Sequence, residues 1–371
     1  DIAHVGFTAP DLDAMADFLG DFGMAGAGGD AETRYFRGTG SAPFCYVVRH
    51  AEQARFVGMG FNVASREDLL KLAALPGASA PQPASVPGGG EVVRLTDPAG
   101  FTVEAVFGQT PVAALTHRQP LPANQTDQLP RINATQRPPH APAEIIKLGH
   151  AVIEVADFQR VCAWYTGHLG LIPSDVQVLP DGSPIVTFMR LNLGDTPADH
   201  HTLAIAQGFM NNYNHSAYEV VDVDALGMGQ RVLREQGYRH AWGIGRHILG
   251  SQLFDYWNDP WGDKHEHYCD GDMFTAAEPT GIHPVSAEAM AQWGPAMRSR
   301  STASWSGAAR ADSEAVPPAA AAAAGAAAGA AVALGAAASI AASDLTGAPS
   351  AARSSPLRAL RLGSAASSPG A

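Results

Sequence analysis

Cysteine is scarce in this chain. Cys45, Cys162 and Cys269 are odd in number, far apart and form no C-x-x-C pair. That excludes a disulfide framework and a zinc ribbon, and it fits small buried thiols in a reducing compartment, by default the cytoplasm. Blocks of like charge are also missing. The formal charge of -12 is spread along the sequence, and Lys and Arg are not clustered among aromatics, so nucleic acid is not an expected partner. No basic-then-apolar leader opens the chain at Asp1, although the lack of an initial Met leaves room for earlier residues. The sequons at Asn124 and Asn133 therefore read as chance. Ala319 to Ala342 has the length of a membrane span, but it is mostly Ala and Gly, with Val332, Leu334 and Ile340 among its few strongly apolar residues. Its transfer energy is too small, and no membrane partner is expected.

What is present is apolar substance for sizeable cores: 371 residues at 46% hydrophobic content predict two domains plus extras. Residues 109–143 are rich in Pro, Gln, Asn and Thr without an apolar period, which reads as an extended linker. It separates a first domain, 1–108, from a second, 144–297. From 298 to 371 Ala, Ser, Gly and Pro dominate, and aromatics end at Trp305. This is a low-complexity tail without a packed core, disordered or partly helical, and its bias is also what translation in another frame would give.

The folded part repeats itself. Ile2 to Phe7 is followed by Asp11 and a helical pattern at Met15, Phe18, Leu19 and Phe22. Leu148 to Ile153 is followed by Asp157 and Val161, Trp164, Tyr165 and Leu169. The same order recurs after Phe61-Asn62-Val63 and after Tyr218-Glu219-Val220, and each helix leads into alternating apolar runs that read as strands. The repeats also end alike: Asp97-Pro98-Ala99-Gly100 and Asp259-Pro260-Trp261-Gly262 are turns feeding strands that carry Glu104 and Glu266. The expected fold is α+β, with four βαβββ modules paired into two domains around clefts.

Within the second pair, His150, His215 and Glu266 sit on or at the ends of strand-like runs. Two imidazoles and one carboxylate form a facial set that holds a divalent iron and leaves positions open, although oxygen and nitrogen donors also accept manganese. A single strand histidine is more often a hydrogen-bonded core residue, and His4 reads that way. His200 is placed opposite His201 by strand alternation, His265 and His267 face away from Glu266, and His140, His168 and His240 read as surface or capping residues.

This pattern resembles the type I extradiol ring-cleaving dioxygenases of the vicinal oxygen chelate superfamily, the group including 2,3-dihydroxybiphenyl 1,2-dioxygenase and catechol 2,3-dioxygenase, over roughly residues 1 to 290. The residues carrying the likeness are the triad, Asp199-His200-His201-Thr202-Leu203-Ala204, Trp242-Gly243-Ile244-Gly245-Arg246-His247, and Tyr256 nine positions after His247. The resemblance implies an iron centre in the second half only, with Gly58 in the first half at the place of His215. It assigns His247 and Tyr256 to the catecholate oxygens and His201 to the oxygen side as acid. Phe188, Trp242 and Phe254 are candidate walls of the substrate cavity, with core packing as the alternative for each, as for Trp164 and Trp257. Phe209 to Tyr213 matches nothing residue by residue and is expected to contribute to substrate choice.

The expected function is iron(II)-dependent meta cleavage of a catechol, 2,3-dihydroxybiphenyl-like or simpler, with dioxygen as co-substrate, in aromatic catabolism by a homo-oligomer. A glyoxalase-like metal-dependent isomerase or hydrolase and a non-enzymatic sequestering protein remain open on the same scaffold.

Overall fold

The computed structural model describes residues 1–286 and 290–296, so the expected tail from 298 lies outside the described residues. The first half runs β1 (Ile2–Ala9), α1 (Leu12–Phe22), β2 (Ala25–Gly29), β3 (Thr33–Arg37), β4 (Tyr46–His50), β5 (Arg55–Asn62), α2 (Arg66–Ala73), β6 (Gln82–Pro83), β7 (Glu91–Thr96) and β8 (Thr102–Phe107). The second runs β9 (Ile145–Val155), α3 (Phe158–Leu169), β10 (Ile172–Val178), β11 (Pro184–Arg190), β12 (Ala198–Asp199), β13 (Leu203–Gln207), β14 (Asn212–Val220), α4 (Val223–Glu235), β15 (Arg239–Arg246), β16 (Leu253–Asn258), β17 (Lys264–Cys269), β18 (Met273–Phe274) and β19 (Gly281–Pro284).

Helix starts follow from their caps. Asp11, Ser65, Asp157 and Asp222 each accept backbone N–H groups of a first turn that has no other partner. The apolar face read at Met15, Phe18, Leu19 and Phe22 is buried, and each such side chain contributes about 1.5–3 kcal/mol. The two D-P-x-G turns close in the same way. Asp97 Oδ1 accepts from Ala99 and Phe101 N–H, and Asp259 Oδ1 from Trp261, Gly262 and Asp263 N–H.

Each half is one mixed sheet made of two modules joined by an antiparallel pair. The order is β2-β3-β4-β1-β5-β8-β7-β6 in the first and β15-β16-β17-β14-β9-β13-β11-β10-β19 in the second. The four-module α+β expectation therefore matches the observed architecture. Strand β19 is an addition, pairing parallel to β10 at the sheet edge. One continuous apolar core joins the halves. His267 stacks on Phe22 with ring centroids 3.8 Å apart and bonds its carbonyl, while the Tyr165 hydroxyl donates to Asp97 at 2.9 Å. Residues 109–143 carry one isolated bridge, Gln125 to Gln128, and are fastened by side chains: Arg118 reaches Asp222 at 2.6 Å, and Arg37 donates to the Ala113 carbonyl. Among the described residues no helix is long and apolar enough to cross a membrane.

Candidate metal centre

The register of three neighbouring strands assembles the triad. Ala217 on β14 lies opposite both His150 on β9 and Glu266 on β17. His215, two residues before Ala217, points to the same face because strand side chains alternate. The small Ala217 thus separates an imidazole from a carboxylate while His215 reaches over from the next level. His150 Nε2 stands 3.3 Å and His215 Nε2 3.2 Å from Glu266 Oε2, and the ligand atoms of all three lie within 4.8 Å of one another. The three side chains are 2%, 12% and 1% exposed.

The donor set fits a divalent cation on chemical grounds. Asn214 Oδ1 can only accept, so the 2.8 Å bond from His215 puts that ring's hydrogen on Nδ1 and leaves Nε2 as a bare lone pair. That lone pair faces a carboxylate oxygen. Both Glu266 oxygens are buried without a hydrogen-bond partner. Burial holds His215 down to about 4, outweighing the raising effect of Glu266. Burial works the other way on Glu266, but the imidazoles of His150, His215 and His247 crowded around it keep it well below the ordinary carboxylate range. Imidazole nitrogens converging on a buried carboxylate without hydrogen-bond partners are the arrangement of ligands around an ion. Asn214 is itself oriented, accepting from Lys264 Nζ at 3.0 Å and donating to Glu154.

Around this centre stand the other histidines and tyrosine. His247 donates from Nδ1 to the Met290 carbonyl at 2.7 Å, so its Nε2 accepts from the Tyr256 hydroxyl at 2.9 Å. The same Nε2 is 3.6 Å from Glu266 Oε1. Burial, with Glu266 adding to it, raises Tyr256 well above its usual value, so it stays a phenol. The His201 ring lies 3.9 Å from that of His150, and burial, then the neighbouring imidazoles, push it well below the ordinary histidine range. Phe188 flanks His201, with centroids 5.2 Å apart. Phe254 is fully buried and stacks on His247 at 4.1 Å, while Trp242 stacks on Tyr256 at 5.5 Å. Trp257 is in the core, donating to Asp255, and Trp164 packs on Tyr165 and His168.

Two expectations need correction. His200 does not point away from His201: β13 begins at Leu203, so both residues lie in a bend where strand alternation does not apply, and their Nδ1 atoms meet at 2.9 Å. His240 is not a surface group, since it bonds the buried Asp255 at 2.7 Å. His140 and His168 are exposed, and His265 and His267 turn to the aromatic core. Sequence reasoning missed Asn214 and also the ring formed by Asp175, His200 and His283. Their only signal was polarity beside a ligand histidine or in otherwise apolar strands.

The first half holds the same frame with different contents. Gly60 faces both His4 and Glu104 as Ala217 faces His150 and Glu266, which puts Gly58 at the place of His215. Arg94 lies opposite Glu104 as Tyr256 lies opposite Glu266. His4 and Arg94 bind Glu104 at 3.1 and 2.8 Å. Burial opposes its ionisation, but His4 and then Arg94 bring Glu104 down to about 2.

Residues 147–266 match the model of the Glyoxalase/Bleomycin resistance protein/Dioxygenase superfamily. Metapyrocatechase 2 of Cupriavidus necator is 33% identical over 150 residues, which are 40% of this chain and 44% of that protein, so the match spans less than half of the relative's length. The Mn(II)-bound glyoxalase from Novosphingobium aromaticivorans has a TM-score of 0.66 at 25% identity, covering 79% of this chain and 90% of that one. Native homoprotocatechuate 2,3-dioxygenase from Arthrobacter globiformis gives 0.67 at 21% identity, over 79% of this chain and 87% of that one. At that identity the second likeness is one of fold. The part of the chain similar to the Glyoxalase/Bleomycin resistance protein/Dioxygenase superfamily is thus the segment that carries His150, His215 and Glu266, with the strands that align them.

Proposed function

We propose that the chain is an extradiol dioxygenase that uses iron(II), held by His150, His215 and Glu266, to cleave a catechol beside its hydroxyl pair with dioxygen. The observation that carries this reading is the company of the triad: a neutral His201 against the His150 ring, and a Tyr256–His247 hydrogen bond beside Glu266. Neither feature is needed to hold a metal. The metal, when bound, supplies adjacent coordination sites for catechol and oxygen and the electron exchange that a singlet ring and triplet oxygen cannot make directly.

The protein's part is proton management and positioning. Tyr256 holds its hydrogen toward His247 Nε2, so the pair can accept a catechol proton at His247 while the phenol hydrogen-bonds the resulting oxyanion. His201 would offer a hydrogen on the oxygen side as the acid of the reaction, a role worth about 10²–10⁴ in rate. Phe188 walls the oxygen side. Trp242 and Phe254 act through the rings of Tyr256 and His247 that they support. The named activity of Metapyrocatechase 2 and the fold of the homoprotocatechuate enzyme support this reading.

The likeness to a Mn(II)-bound glyoxalase favours a second reading, a metal-dependent isomerase or hydrolase. Oxygen consumption separates the two. Protein loaded anaerobically with iron(II) and then given air and catechol or 2,3-dihydroxybiphenyl should consume oxygen and form a yellow ring-fission product. Bound iron with neither colour nor oxygen uptake across a panel of mono- and bicyclic catechols rejects the dioxygenase.

A further inference from the structure

Behind His201, away from the triad, lies a second set of titratable groups that the reaction above does not use. Asp175 on β10 accepts from His200 Nε2 at 2.7 Å and from His283 Nε2 at 2.6 Å. A carboxylate only accepts, so both rings carry hydrogen on Nε2. His200 then presents its Nδ1 to Nδ1 of His201 at 2.9 Å. Two nitrogens at that distance share one hydrogen, so His200 fixes the rotation of the His201 ring and with it the direction of Nε2, the nitrogen without a protein partner among the described residues.

The His200 side chain is fully buried and that of Asp175 is 13% exposed, so little water competes for these bonds. His283 is brought there by β19, the strand outside the repeat, whose pairing places His283 opposite Gln177 and Gly281 opposite Asp175. Arg190, fully buried, binds the carbonyls of Thr275 and Glu278 and pins the segment leading into β19.

We propose that Asp175 and His200 are positioning residues that hold the His201 ring in its orientation against His150, with His283 as the second anchor of Asp175. Their part in turnover rests on the dioxygenase reading, while the chain of hydrogen bonds does not.

The test is Asp175→Asn, which removes the charge and cannot accept from both rings. In iron-loaded enzyme kcat should fall about 10²-fold with metal content and catechol KM unchanged. In a His201→Gln background the same change should cost nothing further, because it acts only through His201. An equal loss in both backgrounds, or loss of metal together with activity, overturns the proposal. If Asp175→Asn does not fold, His283→Gln is used, and a several-fold loss again confined to the His201 background is expected. Independently of turnover, ¹⁵N-histidine NMR of zinc-loaded protein should show a coupling across the hydrogen shared by Nδ1 of His200 and Nδ1 of His201, weakened or lost in the variant. No such coupling in the parent protein refutes the idea. The coupling present, with no catechol cleavage by the parent, refutes instead the dioxygenase.

Discussion

Replacing Asn214 by Ala should weaken the metal centre without touching a ligand. Asn214 Oδ1 is the acceptor that keeps the His215 hydrogen on Nδ1, at 2.8 Å, and it is held by Lys264 and Glu154. Without it the neutral ring places its hydrogen on Nε2 for part of the time, and that hydrogen must be displaced before the nitrogen can bind an ion. The ring also loses the contact that fixes its rotation. Losses of such orienting partners typically cost 10–100-fold in metal affinity, about 1.4–2.7 kcal/mol. Because His215 is 12% exposed at its side chain, water can replace part of the bond, which places the expectation toward the lower end. Competition with a coloured chelator under anaerobic conditions measures the affinity, and the melting temperature of metal-free protein controls for general damage. Glu154→Gln, which disturbs only the orientation of Asn214, should cost less than Asn214→Ala. Unchanged affinity in Asn214→Ala, or a loss matched by lower stability of the metal-free protein, refutes the tautomer argument.

Three further outcomes follow from the geometry. His201→Ala should retain iron and catechol binding but slow the oxygen-dependent step about 10²–10⁴-fold, measured by stopped-flow mixing of the anaerobic substrate complex with oxygen. Ala217→Val adds two methyl groups between His150 and Glu266, and should cost about 1–3 kcal/mol in denaturant unfolding and lower metal content. Glu104 is held at about 2 against an unfolded value near 4.5, so its stabilisation is present above about pH 4.5 and lost as pH falls toward 2. That difference is worth at most about 3 kcal/mol, and Glu104→Gln should flatten the acid limb of the stability profile in that interval.

The sequence carried the modules and the triad because both rest on local chemistry. Capping aspartates, Pro-x-Gly turns and alternating apolar runs mark element ends, and the equivalence of Gly58 with His215 follows from counting along matched strands. It did not carry what depends on non-local approach. β19, four residues with a terminal proline, has no alternation to announce it, and its role depends on Asp175 more than a hundred positions earlier. The face of His200 escapes strand alternation because β13 begins three residues after it. Asn214 looked like an ordinary neighbour, since orientation of a ligand ring is a property of one hydrogen bond rather than of a pattern.

The twin frame in the first half has a consequence for redesign. A chain with two metal centres looks one ligand away, because His4 and Glu104 already stand in place. A side chain at Gly58, however, would overlap the Thr102 carbonyl, and one at Gly60 would overlap the His4 ring, while Arg94 occupies the carboxylate. No single substitution leads to a second centre, and each first step disrupts packing or strips Glu104 of its partner. The duplicated half has settled on an ion-paired filling that mutation must cross a valley to leave, so function can diversify in one half while the other keeps the shape of both.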